Sequence, residues 1–193
     1  MDGVSILLDG VCKELPPYLG TPEEIQTTLA EQLPDALMFS HRHEDHYDET
    51  FARTYADKTL RPVCGPELSH LEAGIIVGGV KILAVPSRHI GKTNVMHNSF
   101  VIVGSQCVWF LGDAAPSEFK GREDLPKPDV VIAPYAYATT PAAWKITTAL
   151  GAKAVVLVHL PRREEDPYGL WKAVQETAGK CVIIPEMGER LTL

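Results

Sequence analysis

No apolar run in this chain approaches the ~18 residues of a membrane-spanning helix. The start, Met1-Asp2-Gly3-Val4, lacks the basic segment and apolar stretch of a secretory leader, so a cytoplasmic protein is expected. Cysteine is scarce. The four residues at 12, 64, 107 and 181 form no CxxC pair and are expected as reduced, mostly buried thiols. Cationic excess is also missing. Eighteen Lys and Arg against 25 Asp and Glu leave a net charge of −7, which argues against nucleic acid or an anionic membrane as partner. Internal repeats are absent, and the Pro-rich stretch at 125–128 is too short for a linker. The 193 residues, 45% hydrophobic, therefore read as one domain over 1–193 with a substantial core.

What is present alternates between apolar strands and helical segments. Strands are expected at 4–8, 36–39, 61–64, 80–85, 130–133, 154–158 and 182–184. The runs 99–103 and 107–111, joined by Gly104-Ser105, read as a hairpin. A helix is expected after Thr21-Pro22-Glu23-Glu24, with Thr21 as cap and Glu24 completing a capping box; Ile25, Leu29 and Leu33 then share a face. Further helices are expected at 48–56, 66–73, from Thr140-Pro141 to Gly151, and at 167–178.

The chemistry gathers after the strands. His41, His43, Asp45 and His46, all metal-binding residue types, stand within six residues directly after the 36–39 strand. His89 follows the 80–85 strand, Asp113 follows Gly112 after 107–111, and His159 ends 154–158. Sites in layered α/β folds form beyond strand ends, where loops converge. Five His and two Asp suffice for two ions, with one Asp shared. The bland alternatives are hydrogen-bonded surface histidines at 89 and 159 and a turn residue at Asp113.

The His-x-His-x-Asp-His motif at 41–46, the later His89, the Gly112-Asp113 step and the final His159 resemble the metallo-β-lactamase-fold hydrolases along nearly the whole chain. The resemblance implies an α/β fold: a four-layer αββα sandwich of two mixed β-sheets flanked by helices. It also implies one metal held by His41, His43 and His89, a second by Asp45, His46 and His159, and Asp113 between them. Family members usually carry one or two strands ahead of the one at 4–8, so the first sheet is expected shortened at its N-terminal strands. Its open edge suggests a homodimer or a shielded edge. The Leu8-Asp9 strand end, the Val85-Pro86 approach to His89 and the Gly188-Glu189-Arg190-Leu191 tail are similar to the small cytoplasmic branch that includes ascorbate-6-phosphate lactonase.

Two adjacent divalent ions can share a water, lower its pKa to give hydroxide near neutrality, and polarise a carbonyl or phosphoryl oxygen. The expected function is hydrolysis of a small, anionic ester, lactone or phosphodiester. Zinc is the default metal, and manganese and iron use similar ligands. The resemblance gives Asp45 a catalytic part as ligand, orienting group and proton carrier. Arg88 and Lys92 flank His89, and Arg162 and Arg163 follow His159; at least one is expected to bind the anionic group. Tyr135 and Tyr137 follow a strand and either offer a phenol to the site or pack. His97 lies in a connection that can face the site, whereas His70 is expected to be solvated or capping. The competing functions are a non-hydrolytic di-iron redox protein and a catalytically silent metal-binding scaffold.

Overall fold

Alternation along the strands sets the architecture. In a computed structural model, which describes residues 1–67, 74–91 and 94–193, successive side chains of β2 (Ala36–Met38) enter different cores. Ala36 and Met38 meet Val80, Ile82, Ala84, Phe100 and Ile102, while Leu37 and Phe39 meet Ala52 and Tyr55. A strand buried on both faces has to be apolar at every position, and 36–39 is.

Among the described residues, nine strands form two sheets. β1 (Ile6–Leu8), β2 and β3 (Val63–Cys64) pair in that order, parallel throughout. β4 (Ile75–Val77), β5 (Val80–Pro86), β6 (Asn98–Val103), β7 (Cys107–Phe110), β8 (Val130–Pro134) and β9 (Ala154–Val158) form a mixed sheet in chain order. The first three pairings are antiparallel and the last two parallel, so β5, β7, β8 and β9 run the same way.

Among the described residues, three cores separate four layers. One lies between the sheets. On the outer face of the small sheet, Leu37 and Phe39 pack on Ala52 and Tyr55 of α2 (Glu49–Thr59), with Leu33 beyond α1 (Glu23–Glu31). On the outer face of the large sheet, Val101, Trp109, Val131 and Leu157 pack on Phe119, Tyr137, Trp144 of α3 (Pro141–Ala149) and Val174 of α4 (Leu170–Thr177). Each fully buried Leu, Ile or Phe contributes ~1.5–3 kcal/mol of transfer free energy, so these faces hold the layers together.

Several ends differ from expectation. Thr21 does not cap α1. Its Oγ1 accepts from the Cys12 amide at 3.0 Å, and the helix starts after an extended Pro22 without a side-chain cap. The 182–184 strand shrinks to one bridge, Val156 to Ile183. α4 begins later than 167 because Asp166 draws in the amides of Tyr168 and Trp171, leaving Gly169 in a left-handed turn. Of the four thiols only Cys107 is buried; Cys181 is exposed. The expected 66–73 helix lies almost wholly outside the described residues, as do His70 and Lys92. Among the described residues, no helix is long and apolar enough to cross a membrane.

Candidate metal centre

Parallel direction brings the strand ends together. Asp9 follows β1, His41 to His46 follow β2, His89 follows β5, Asp113 follows β7 and His159 follows β9. Among the described residues, their donor atoms form two tight groups that share no residue, His41 with His43 and His89, and Asp45 with His46 and His159, and a third, Asp9 with His41 and His46, links them. His41 Nε2 lies 2.9 Å from His43 Nδ1 and 3.3 Å from His89 Nε2. In the second group His159 Nε2 is 3.1 Å from His46 Nε2 and 3.4 Å from Asp45 Oδ2. Asp113 Oδ2 touches both groups, 3.5 Å from His89 Nε2 and 3.4 Å from the Nε2 atoms of His46 and His159.

The backing hydrogen bonds settle where the ring protons are. His89 Nδ1 donates to the Ile90 carbonyl at 2.6 Å, which leaves Nε2 a lone pair. Ser40 Oγ donates to the Asp9 carboxylate, so it accepts from His41 Nδ1 at 2.9 Å, and His41 Nε2 is again a lone pair. His46 Nδ1 donates to Asp9 Oδ2 at 2.9 Å. With both rings neutral, as metal ligands must be, lone pairs of His41 and His89 face each other 3.3 Å apart. That arrangement is repulsive unless a cation lies among them. Nitrogens each ~2.0–2.1 Å from one tetrahedral ion sit about 3.3 Å apart. The donor set thus fits divalent metal.

Charge says the same. Burial holds the His41 imidazolium down, to a pKa of about 2, so this ring is neutral. Burial also opposes charge on His46, yet Asp113 and Asp9 outweigh it and raise its pKa to about 10. Asp113 and Asp45 resist burial in the opposite sense. Hydrogen bonding from His46 to Asp113 and from His159 to Asp45 leads the forces that keep both carboxyls below the usual carboxylate range. A buried pocket that holds carboxylates ionised and binds a proton this tightly is one that calls for positive charge. Among the described residues, Asp45 Oδ1 and Asp113 Oδ1 are buried without hydrogen-bond partners.

A cavity of about 620 Å³ opens onto the cluster and is lined by His43, Asp45, His89, Asp113 and His159 together with Leu15, Tyr18, Ile90 and Tyr135. Tyr135 reaches it, while Tyr137 is fully buried in the core. The three basic residues expected there and described do not line it. Arg88 turns to Ser117 at 3.2 Å and Glu118 at 3.4 Å, and Arg162 turns to Glu14 at 3.3 Å and Glu165 at 3.1 Å. Arg163 stacks on Trp171, 3.9 Å from the ring centroid. Exposed guanidiniums near acidic side chains pair locally, and here that draws them off the cavity.

Two residues of the site went unread in the sequence. In the sequence Asp9 stands out only as a strand end, but its carboxylate sets both His41, through Ser40, and His46; that position at the end of β1 is the available signal. Tyr18 stands edge-on to His159, ring centroids 4.3 Å apart, from a loop with no local motif.

Fold and donor set define a metal-site protein of the αββα class. Residues 1–159 match the beta-lactamase superfamily domain, and the chain belongs to that family. It is 24% identical over 184 aligned positions to a UPF0173 metal-dependent hydrolase of Methanocorpusculum labreanum, covering 82% of this chain and 84% of that one. Among solved structures it is similar to the metallo-hydrolase Igni18 of Ignicoccus hospitalis, with a TM-score of 0.60, 18% identity, and 98% and 90% of the two chains covered. The metallo-beta-lactamase fold protein YhfI of Bacillus subtilis superposes with a TM-score of 0.56 at 17% identity over 86% of this chain and 82% of that one.

Proposed function

We propose that this protein is a metal-dependent hydrolase whose seven donors hold two divalent cations and whose substrate is a small ester, lactone or phosphodiester. The observation that carries the reading is Asp113 Oδ2, which stands 3.4–3.5 Å from ring nitrogens of both donor groups and so can serve two ions. His41, His43 and His89 would hold one, and Asp45, His46 and His159 the other. Bound there, such ions supply an activated water and polarise the oxygen of the bond to be cleaved.

The protein's own side chains do the rest. Asp9 and Ser40 hold His41 and His46 with Nε2 toward the centre, the outer-shell arrangement that fixes a ligand's tautomer. Asp45 Oδ2 is engaged by His159 and His46 at 3.4 and 3.7 Å, while Oδ1 is unpartnered among the described residues. Oδ1 is the atom we assign to take the proton from the attacking water and pass it to the leaving oxygen as the bond to that oxygen breaks. Leu15, Ile90 and the two phenols of Tyr18 and Tyr135 bound the substrate space. Burial, then the neighbouring Tyr135 phenol, holds the Tyr18 phenol protonated well above its ordinary range, so it is available as a donor.

The test is metal analysis joined to a hydrolysis screen over esters, lactones and phosphodiesters. Turnover that disappears with the metal and returns on reloading supports the proposal. Stoichiometric metal with no turnover across the screen favours a silent scaffold, and an iron chromophore favours the redox reading.

A further inference from the structure

His97 is buried, 4% exposed, yet belongs to neither donor group. Its place follows from topology. β6 runs opposite to β5 and β7, so the residue before β6 lies at the end where those strands leave the sheet. The ring sits behind the ligands, its centroid 5.3 Å from that of His41 and 5.8 Å from that of His89.

Its hydrogen bonds form a directed chain. The backbone N–H of Asp113 donates to His97 Nε2 at 2.9 Å. An amide N–H only donates, so Nε2 carries a lone pair and the ring hydrogen is on Nδ1. Nδ1 donates to Ser87 Oγ at 2.9 Å, Ser87 Oγ donates to Ser99 Oγ at 3.1 Å, and Ser99 Oγ donates to the Leu111 carbonyl at 2.9 Å. An amide at one end and a carbonyl at the other allow one direction only, so the tautomer of His97 is locked. Packing is equally close. A Cβ on Gly112, whose φ is +51°, would lie 2.8 Å from His97 Nε2.

The geometry assigns to His97 the part of a positioning residue: as a neutral acceptor it holds the main chain of Asp113 so that the carboxylate faces both donor groups. The inference rests on the reading of Asp113 as a shared metal ligand. Replacing the ring by an apolar side chain leaves the Asp113 N–H buried without an acceptor and frees the turn that aims the carboxylate.

The experiment titrates metal-free wild type, His97→Leu and His97→Gln with cobalt(II) against a competing chelator, following the ligand-field absorption of the bound ion. Wild type is expected to bind two equivalents. His97→Leu is expected to bind 10–100-fold more weakly, the usual effect of losing an outer-shell partner, with a changed absorption band. His97→Gln, whose Oε1 can take the place of Nε2, is expected to keep most of the affinity. Wild-type affinity and an unchanged band in His97→Leu would overturn the inference, and so would a His97→Gln as weak as His97→Leu. Should His97→Leu not fold, Ser87→Ala decides: the ring stays but loses the partner that locks its tautomer, so weaker cobalt binding is expected and unchanged affinity overturns. A wild type that binds no cobalt fails the two-metal reading and this inference with it. A loaded wild type with unaffected variants fails the inference alone.

Discussion

At the level of single residues, Asp9 shows how the candidate ligands depend on a carboxylate hydrogen-bonded behind them. Its carboxylate sits 31 and 37 residues from Ser40 and His46, and through them it orients one histidine of each donor group. We expect Asp9→Ala to fold and to lose 10–100-fold in metal affinity, measured by chelator competition. Gly112 is the other pressure point. A Cβ there would lie 2.5 Å from Ser40 Cβ in a backbone at φ +51°, so Gly112→Ala should lose roughly 2 kcal/mol or more in urea unfolding, from left-handed strain plus overpacking. The candidate ligands were legible because six consecutive residues carry four of them and strand ends announce the others. Asp9, Tyr18 and the role of His97 were not, because each acts on partners that only the fold supplies. Arg88 and Arg162 stand off the cavity for a related reason: a loop charge pairs with a carboxylate that the fold brings near, and sequence does not say which one that is.

At the scale of elements, strands were easy to read and helix ends were not. β2 and β5 show runs of apolar residues because both faces are buried, and that pattern survives any choice of neighbours. Helix starts depend on single side chains with competing uses, and Thr21 serves the Cys12 amide instead of α1. Trp109 of β7 joins the large sheet to the segment before β8, packing on Phe119 and donating from Nε1 to the Pro126 carbonyl at 2.9 Å. Trp109→Ala is expected to cost ~3–5 kcal/mol. Asp129 ties the starts of β7 and β9, accepting from the Cys107 amide at 2.9 Å and pairing with Lys153 at 2.8 Å. The Lys153 hydrogen bond, then the Cys107 amide, holds the Asp129 carboxyl below its ordinary pKa. A group with a depressed folded pKa stabilises above its unfolded value, about pH 4, and the contribution fades as pH falls through the folded value. Asp129→Asn should therefore be less stable than wild type at neutral pH, with the difference in melting temperature closing below about pH 4.

For the whole molecule, the two sheets meet where their strand ends can pool ligands, and the seven donors come from four separate strand ends. Ligands so distant in sequence exist as a set only in the folded chain. Metal should then stabilise that state by mass action, about 2.7 kcal/mol at a free concentration 100-fold above the dissociation constant. Stripping it with a chelator should lower the melting temperature, and zinc, manganese or iron should restore it to different extents. The most direct measurement is metal content per chain, by elemental analysis, of wild type and of the His41→Ala, His43→Ala double variant after reloading and desalting. Two equivalents are expected in wild type, with loss of stoichiometric metal from the His41, His43 and His89 group in the variant. A wild type without stoichiometric metal, or a double variant that still holds two equivalents, would rule out a two-metal centre on these donors.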